Sequence, residues 1–289
     1  MCILPPPLTT PNRLRTQLQE RLPAFKSIDW VPRTGSTNGE LITRARRSDQ
    51  PLVRPWLLGA HYQTEGRGRA GRVWHNRDGA HLMFSCAFDV FLAPQHLATL
   101  SPLAGVAACE GLRQLLPVRH QVALRLKWPN DVLWYGAKLA GILTEVTRAS
   151  TAPASRDHHV VVIGIGINLA DSQRLSHELE RPIADWAQVC QDCPDLSTHR
   201  HADIIAAVAQ SWYDSLNRAT AFGFEGLVPR YQNVDALQGQ SVVVMDQQQE
   251  LLSGLAHGIA PDGRLLVRNA LGDHPISVGD VSIRTPSPR

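Results

Sequence analysis

The sequence predicts an α+β fold: a larger domain with a mixed sheet and flanking helices, followed by a small all-β barrel. Between residues 28 and 235, apolar runs of strand length alternate with amphipathic helical stretches. One run, Val160-Val161-Val162-Ile163-Gly164-Ile165-Gly166-Ile167-Asn168-Leu169, has the pattern of a buried strand, with two glycines where a neighbouring backbone or a ligand can approach. From Leu237 the pattern changes to short strands at 241–245, 251–256, 264–268 and 281–284, separated by Gly and Asp turns. These changes divide the chain into an N-terminal extension (1–27), a larger domain (28–235) and a small C-terminal domain (236–289).

The elements follow in order. Leu14, Leu18 and Leu22, spaced four apart, mark one face of a short helix. Residues 28–32 read as a first strand, and Ser36 or Thr37 with Glu40 has helix-cap spacing ahead of a helix over 41–47. Capping explains these hydroxyls and is compatible with ligand contact. Residues 56–60 and 81–88 are apolar strands, and 97–116 is a long helix with a proline near its start. The 124–128 segment alternates apolar and basic residues as a strand does, and Pro129-Asn130-Asp131 ends it. Residues 132–134 and 138–146 form a hairpin around Tyr135-Gly136-Ala137, and 148–159 is a surface connection. Residues 171–198 read as irregular and polar. Ile204, Ile205, Val208, Trp212 and Leu216 mark the apolar side of a helix over 201–219, and a further short helix lies within 222–231.

Composition narrows the function classes. A 289-residue chain, 43% hydrophobic, buries a substantial core, and a formal net charge of +3 with 6% aromatic residues argues against a broad nucleic-acid-binding surface. Residues 1–7 lack the hydrophobic region of a signal peptide, and no apolar run approaches about 20 residues, so a cytoplasmic location without membrane partners is expected. Five cysteines, at 2, 86, 109, 190 and 193, do not form a disulfide framework. Cys190-Gln191-Asp192-Cys193, with His199 and His201 nearby, invites a zinc or redox reading, but no second ligand pair follows at finger spacing. Gly164 and Gly166 superficially resemble a dinucleotide fingerprint; the third glycine is missing and both lie inside the strand.

Two clusters carry the chemistry. Gly66-Arg67-Gly68-Arg69-Ala70-Gly71-Arg72 packs three glycines and three arginines into seven residues, directly ahead of Val73-Trp74. Glycine lets amide N–H groups approach a ligand, and guanidiniums offer planar forks for carboxylate and phosphate oxygens. The segment reads either as an anion-enclosing loop or as a basic turn that contacts RNA without specificity. The second cluster, Lys127-Trp128-Pro129-Asn130-Asp131 followed by Lys138-Leu139-Ala140-Gly141-Ile142-Leu143, requires a joint explanation with the first.

Taken together with Ser36-Thr37-Asn38, Gln63-Thr64, Gly164-Ile165-Gly166-Ile167-Asn168 and the tail Gly279-Asp280-Val281-Ser282-Ile283-Arg284, these segments resemble biotin protein ligase over residues 28–289. The resemblance implies a class II synthetase-like catalytic fold at 28–235 that binds biotin and ATP. The implied reaction is ATP-dependent formation of biotinyl-5′-adenylate, followed by biotin transfer to a lysine of the carrier domain of acetyl-CoA carboxylase or a related carboxylase. Only about 27 residues precede the catalytic region. The implied form therefore lacks the family's N-terminal DNA-binding domain and has no repressor activity; the resemblance allows a homodimer. Related lipoate ligases and octanoyltransferases share the catalytic fold and are the nearest alternative.

The resemblance also assigns residues. Arg69, with Arg67 and Arg72, meets the carboxylate and phosphates, and Lys138 the oxygens flanking the new bond. One positive charge about 4 Å from such an oxygen is worth roughly 4 kcal/mol at an effective dielectric near 20. Ser36, Thr37, Asn38 and Gln63 hydrogen-bond the biotin ureido ring, while Gly66, Gly68, Gly141, Gly164 and Gly166 let backbone approach biotin. Trp74 is assigned to stack on adenine, with a core role as the alternative, and Asn168 to read the adenine edge; Trp128 is expected in the core. Asp131 orients the acceptor amine and takes its proton late, and Asn130 and Asp131 are candidates for the magnesium that accompanies ATP. Arg284 is assigned to the adenylate or the closed loop, with a surface salt bridge as the alternative.

Overall fold

The computed structural model describes residues 8–47, 54–148, 157–194, 196, 200–246, 249–278 and 281–284. The opening residues 1–7, most of the 148–159 connection, His199 and Gly279-Asp280 lie outside the described residues. Seven strands build the main sheet: β1 (Ser27–Thr34), β2 (Trp56–Gln63), β3 (His81–Phe91), β4 (Leu124–Lys127), β5 (Asp131–Trp134), β6 (Ala137–Arg148) and β7 (His158–Asn168). Their order is β1-β2-β3-β7-β6-β5-β4, with only the β1–β2 pair parallel. β7, buried at every position, lies in the middle between β3 and β6.

Strand alternation gives the sheet two different faces. Leu82, Phe84, Cys86 and Phe88 of β3, with Val161, Ile163, Ile165 and Ile167 of β7, enter the large core. That face is covered by α1 (Pro11–Arg21), α3 (Leu100–Gln114), α7 (His201–Phe222) and α8 (Leu227–Val234). The alternate residues Ala87, Val160 and Val162 instead meet Leu41 and Ala45 of α2 (Thr37–Arg47) in a small second core. Leu14, Leu18 and Leu22 are buried in the large core, at about 1.5–3 kcal/mol each for side chains of this size. Arg21 adds an ion pair to Asp203 of α7 at 2.8 Å.

Three segments of the larger domain differ from the sequence expectation, and the C-terminal unit gains a fifth strand at Gly272–Ile276. α2 begins one turn early, at Thr37, because Ser36 supplies the cap: its carbonyl accepts from Glu40 N at 2.9 Å and its Oγ from Gly39 N at 3.4 Å. This places Thr37 and Asn38 in the first turn with their side chains against the sheet. The long helix covers Leu100–Gln114, with Pro94–Thr99 forming a tighter turn ahead of it and the short α4 (Val118–Gln121) after it. The 171–198 stretch holds two helices, α5 (Ser172–Glu178) and α6 (Trp186–Asp192). A reciprocal cap starts α6: Asp185 Oδ1 accepts from Gln188 N at 3.0 Å, and Gln188 Oε1 from Asp185 N at 3.3 Å.

The C-terminal unit is an antiparallel five-stranded sheet of β8 (Ser241–Asp246), β9 (Gln249–Ile259), β10 (Leu265–Asn269), β11 (Gly272–Ile276) and β12 (Val281–Arg284), in the order β11-β10-β9-β8-β12. Its turn at Asp262-Gly263 reaches the larger domain. Trp128 Nε1 donates to Gly263 O at 3.0 Å and Thr99 Oγ1 to Asp262 O at 2.7 Å. Val242, Val244 and Val267 join the large core, and Ala236 N donates to Leu126 O at 3.0 Å. Among the described residues no helix is long and apolar enough to cross a membrane.

Candidate active site

The face of the sheet that carries α2 thins to glycine. Residues on that face lie in cross-strand rows: Ser85, Gly164 and Leu143 in one, Met83, Gly166 and Gly141 in the next. Missing side chains leave a trough, and protein groups enter it. A methyl on Gly164 would collide with Asn38 Oδ1, and one on Gly166 would lie inside the Trp74 indole. A methyl on Gly141 would come within 3.0 Å of Trp74 Cζ3 and 3.1 Å of Lys138 Nζ. Gly141, Gly164 and Gly166 therefore lie together beneath three predicted site side chains, those of Asn38, Trp74 and Lys138.

At the α2 end of the trough Thr37, Asn38 and Gln63 belong to one connected set, while the Ser36 hydroxyl caps α2. Gln63 Oε1 accepts from Thr37 N at 2.8 Å, and Thr37 Oγ1 lies 2.6 Å from Ser85 Oγ. Ser85 Oγ donates to Asn38 Oδ1 at 2.5 Å, and Asn38 Nδ2 donates to Glu145 Oε2 at 2.8 Å. Ser85 and Glu145 belong to this set and were not singled out from the sequence. Ser85 had one signal, a lone polar residue in the apolar run of β3. Glu145 becomes visible only when register places it two residues beyond Leu143 on the trough face.

The Gly/Arg segment folds as a closed turn beside the trough. Trp74 N donates to Gly66 O at 2.8 Å and Gly68 N to Arg72 O at 2.7 Å, with Ala70 and Gly71 at φ 53° and 68°. Glycine suits such left-handed backbone; Ala70 adopts it despite its Cβ. The arginines diverge. Arg67 Nη2 lies 3.7 Å from Glu145 Oε2, Arg69 Nη1 donates to Asn130 Oδ1 at 3.1 Å, and Arg72 is exposed.

At the other end stands Lys138, whose Nζ pairs with Asp131 Oδ1 at 2.6 Å and lies 5.7 Å from the centre of a Trp74 ring. Its backbone is clamped: Lys138 N donates to Pro182 O at 3.0 Å and Ala184 N to Lys138 O at 2.9 Å. Lys127 lies directly across from Asp131 in the β4–β5 pair. Withdrawal from water holds the Lys127 ammonium below the usual lysine range; Asp131 opposes this, while Lys138, Arg181 and Arg284 push the same way as burial. Positive charge thus outnumbers Asp131 at this end, a field suited to a polyanion. Arg284, exposed on β12, is part of that field.

Asn168, expected at the adenine edge, lies against the backbone around Lys138. Its Nδ2 donates to Lys138 O at 3.2 Å and Ala184 O at 3.1 Å, so the side chain braces the Lys138 backbone. Of the two magnesium candidates, Asn130 Oδ1 faces Arg69 and Asp131 Oδ1 faces Lys138. No metal-holding group of three His, Cys, Asp or Glu residues occurs among the described residues, Cys190 and Cys193 included. Beneath Trp74, His81 packs edge-on at 6.4 Å between ring centroids, and burial pushes its pKa down to about 4.

A trough between a polar cluster and a cationic end, with a small β sheet docked behind, belongs to a known class. Residues 30–168 match the Biotin/lipoate A/B protein ligase family, and residues 238–284 match the Biotin protein ligase C terminal domain. Among relatives, the Mycobacterium tuberculosis biotin--[acetyl-CoA-carboxylase] ligase is 30% identical over 280 residues, 96% of each chain. The Escherichia coli bifunctional ligase/repressor BirA is 30% identical over 264 residues, which cover 90% of this chain and 74% of that one. A biotin protein ligase from Aquifex aeolicus, solved in complex with biotin and ATP, shares the fold at a TM-score of 0.68 and 22% identity, covering 91% of this chain and 100% of that one. The chain belongs to the biotin protein ligase family.

Proposed function

We propose that this chain condenses biotin with ATP to biotinyl-5′-adenylate and pyrophosphate, then passes the biotin to a lysine of a carboxylase carrier domain; acetyl-CoA carboxylase is the acceptor in the name of the M. tuberculosis relative. The observation that carries this reading is Lys138. Its ammonium, clamped through its backbone and paired with Asp131, stands at the glycine trough beside further cations. A carboxylate oxygen attacking the α-phosphorus of ATP brings two anions together, and fixed cations offset their repulsion.

In this reading the head group of biotin lies against Ser36, Thr37, Asn38 and Gln63, with Gly164 and Gly166 beneath it. Lys138, Arg69 and Arg67 meet the carboxylate and α-phosphate, with Gly66 and Gly68 shaping the turn around them. Arg72 and Arg284 meet the remaining phosphates, and Trp74 offers its indole face to adenine. Magnesium arrives on the triphosphate. In the second step the acceptor amine attacks the acyl carbon of the mixed anhydride, AMP leaves, and Asp131 takes the proton. Asn168 acts through Lys138, its amide nitrogen already donating twice.

The test is pyrophosphate release from Mg-ATP with biotin, run beside lipoate. Release with biotin alone, lost in Lys138→Ala, supports the proposal. Release with lipoate alone, or none from folded protein, refutes it.

A further inference from the structure

The polar cluster has a direction. Ser85 has one hydroxyl hydrogen and gives it to Asn38 Oδ1 at 2.5 Å, so the 2.6 Å contact with Thr37 is donated by Thr37, in preference to its longer 3.3 Å approach to Gln63 Oε1, which already accepts from Thr37 N. Asn38 then donates to Glu145 Oε2 at 2.8 Å and to Leu143 O at 3.3 Å. Each link hands its hydrogen onward, from Thr37 through Ser85 and Asn38, to a carboxylate that can only accept. Such aligned chains polarise one another, and the terminal anion decides which way the Asn38 amide faces. The same Oε2 atom lies 3.7 Å from Arg67 Nη2 in the Gly/Arg turn. Glu145 Oε2 thus touches both Asn38 of the polar cluster and Arg67 of the turn.

We infer that Glu145 is a positioning residue for the trough: it fixes the Thr37–Ser85–Asn38 chain in one polarity and tethers Arg67 over it. The inference rests on the proposed reading that the trough receives the biotin head group. With their hydrogens passed along the chain, the Thr37 and Ser85 hydroxyls face the trough as acceptors. Acceptors suit the N–H donors of a cyclic urea, so Glu145, without touching the ligand, selects a ring that donates at this position.

Two substitutions separate the two duties. Glu145→Gln keeps an acceptor for Asn38 and loses the charge that holds Arg67; Glu145→Leu loses both. Leaving a buried donor short of its acceptor costs enough to raise the KM for biotin in Glu145→Leu about ten-fold, with the KM for ATP within about two-fold. Glu145→Gln keeps the biotin KM within about three-fold, as expected for loss of one part-exposed ion pair. The turn, rich in arginine, is a natural trypsin substrate, and biotin protects it less in Glu145→Gln than in the parent protein. Arg67→Gln also removes a ligand contact and one trypsin site, so the comparison is made on its background: adding Glu145→Gln to Arg67→Gln lowers protection no further, because the charge on Glu145 then has no partner in the turn. An unchanged biotin KM in folded Glu145→Leu overturns the inference, as does additive loss of protection in the double variant. Should Glu145→Leu fail to fold, the Glu145→Gln and Arg67→Gln cycle decides alone. Absence of biotin-dependent pyrophosphate release in the parent protein would instead refute the proposed function.

Discussion

Replacing Asp131 with asparagine separates the two steps of the proposed reaction. Its carboxylate lies 2.6 Å from Lys138 Nζ, with the Lys138 and Asp131 side chains 14% and 23% exposed. At an effective dielectric near 20, 332/(20 × 2.6) gives about 6 kcal/mol for the pair, a ceiling before desolvation is subtracted. Removing one partner of a buried pair costs about 3–5 kcal/mol, and partial exposure puts this one at the lower end. For a chain of this size, roughly 3 kcal/mol lowers Tm by about 6–12 °C. Lys127, Lys138, Arg181 and Arg284 are then left without their acid, so Mg-ATP stabilises the variant by more than it stabilises the parent protein.

The chemical steps diverge as well. An acceptor lysine with an ordinary pKa near 10.4 gives up its proton at pH 7 at a cost of about 4.6 kcal/mol, from roughly 3.4 units at 1.36 each. A positioned base contributes about 10²- to 10⁴-fold to such a transfer. In single-turnover measurements, transfer from purified biotinyl-adenylate to a carrier domain should therefore fall about 100-fold or more. Pyrophosphate release in the first step should stay within about ten-fold, since no proton moves there. Equal slowing of both half-reactions refutes the assignment of Asp131 to the acceptor amine.

Gly166→Ala puts a methyl where the Trp74 indole now lies; the variant should fold with an unchanged far-UV spectrum, shift its tryptophan emission and raise the KM for ATP about ten-fold, as base stacking of about 1–3 kcal/mol is lost. His81 has a folded-state pKa of about 4, below its ordinary 6.5, so the unfolded chain binds the proton first as pH falls. Stability should decline between pH 6.5 and 4, by at most about 3.4 kcal/mol from 2.5 units at 1.36 each. His61 and His201, also lowered by burial, tilt the curve the same way. The His81 share is therefore read as the difference between parent and His81→Asn denaturation curves across that range.

Much of the architecture is legible in local pattern. The apolar run of β7 marked a buried strand, and the five apolar positions of α7 are all buried as their spacing predicts. The Gly/Arg and Lys-Trp-Pro-Asn-Asp segments stood out because their compositions serve no ordinary core. Other features depend on register between distant strands. Ser85 acquires its neighbours from the β3–β7 pairing opposite Gly164, Glu145 from its place on β6, and Lys127 from lying across the hairpin from Asp131. No local window contains those pairings. α6 was legible in principle, since Asp185 and Gln188 have cap spacing, but the polar residues around it masked the signal.

The turn at Asp262-Gly263 changes what removal of the C-terminal sheet would mean. Trp128, 2% exposed, is one residue before Pro129-Asn130-Asp131 and has its indole N–H satisfied by Gly263 O. Cutting the chain at residue 236 would leave that donor buried without its acceptor and strip Val242, Val244 and Val267 from the large core. Lost activity in a truncated protein would thus report a damaged hairpin as much as a missing nucleotide contact. The same seam is well suited to split-enzyme complementation: the two fragments carry complementary halves of one apolar interface, and their reassembly would return Trp128, and with it Asp131, to place.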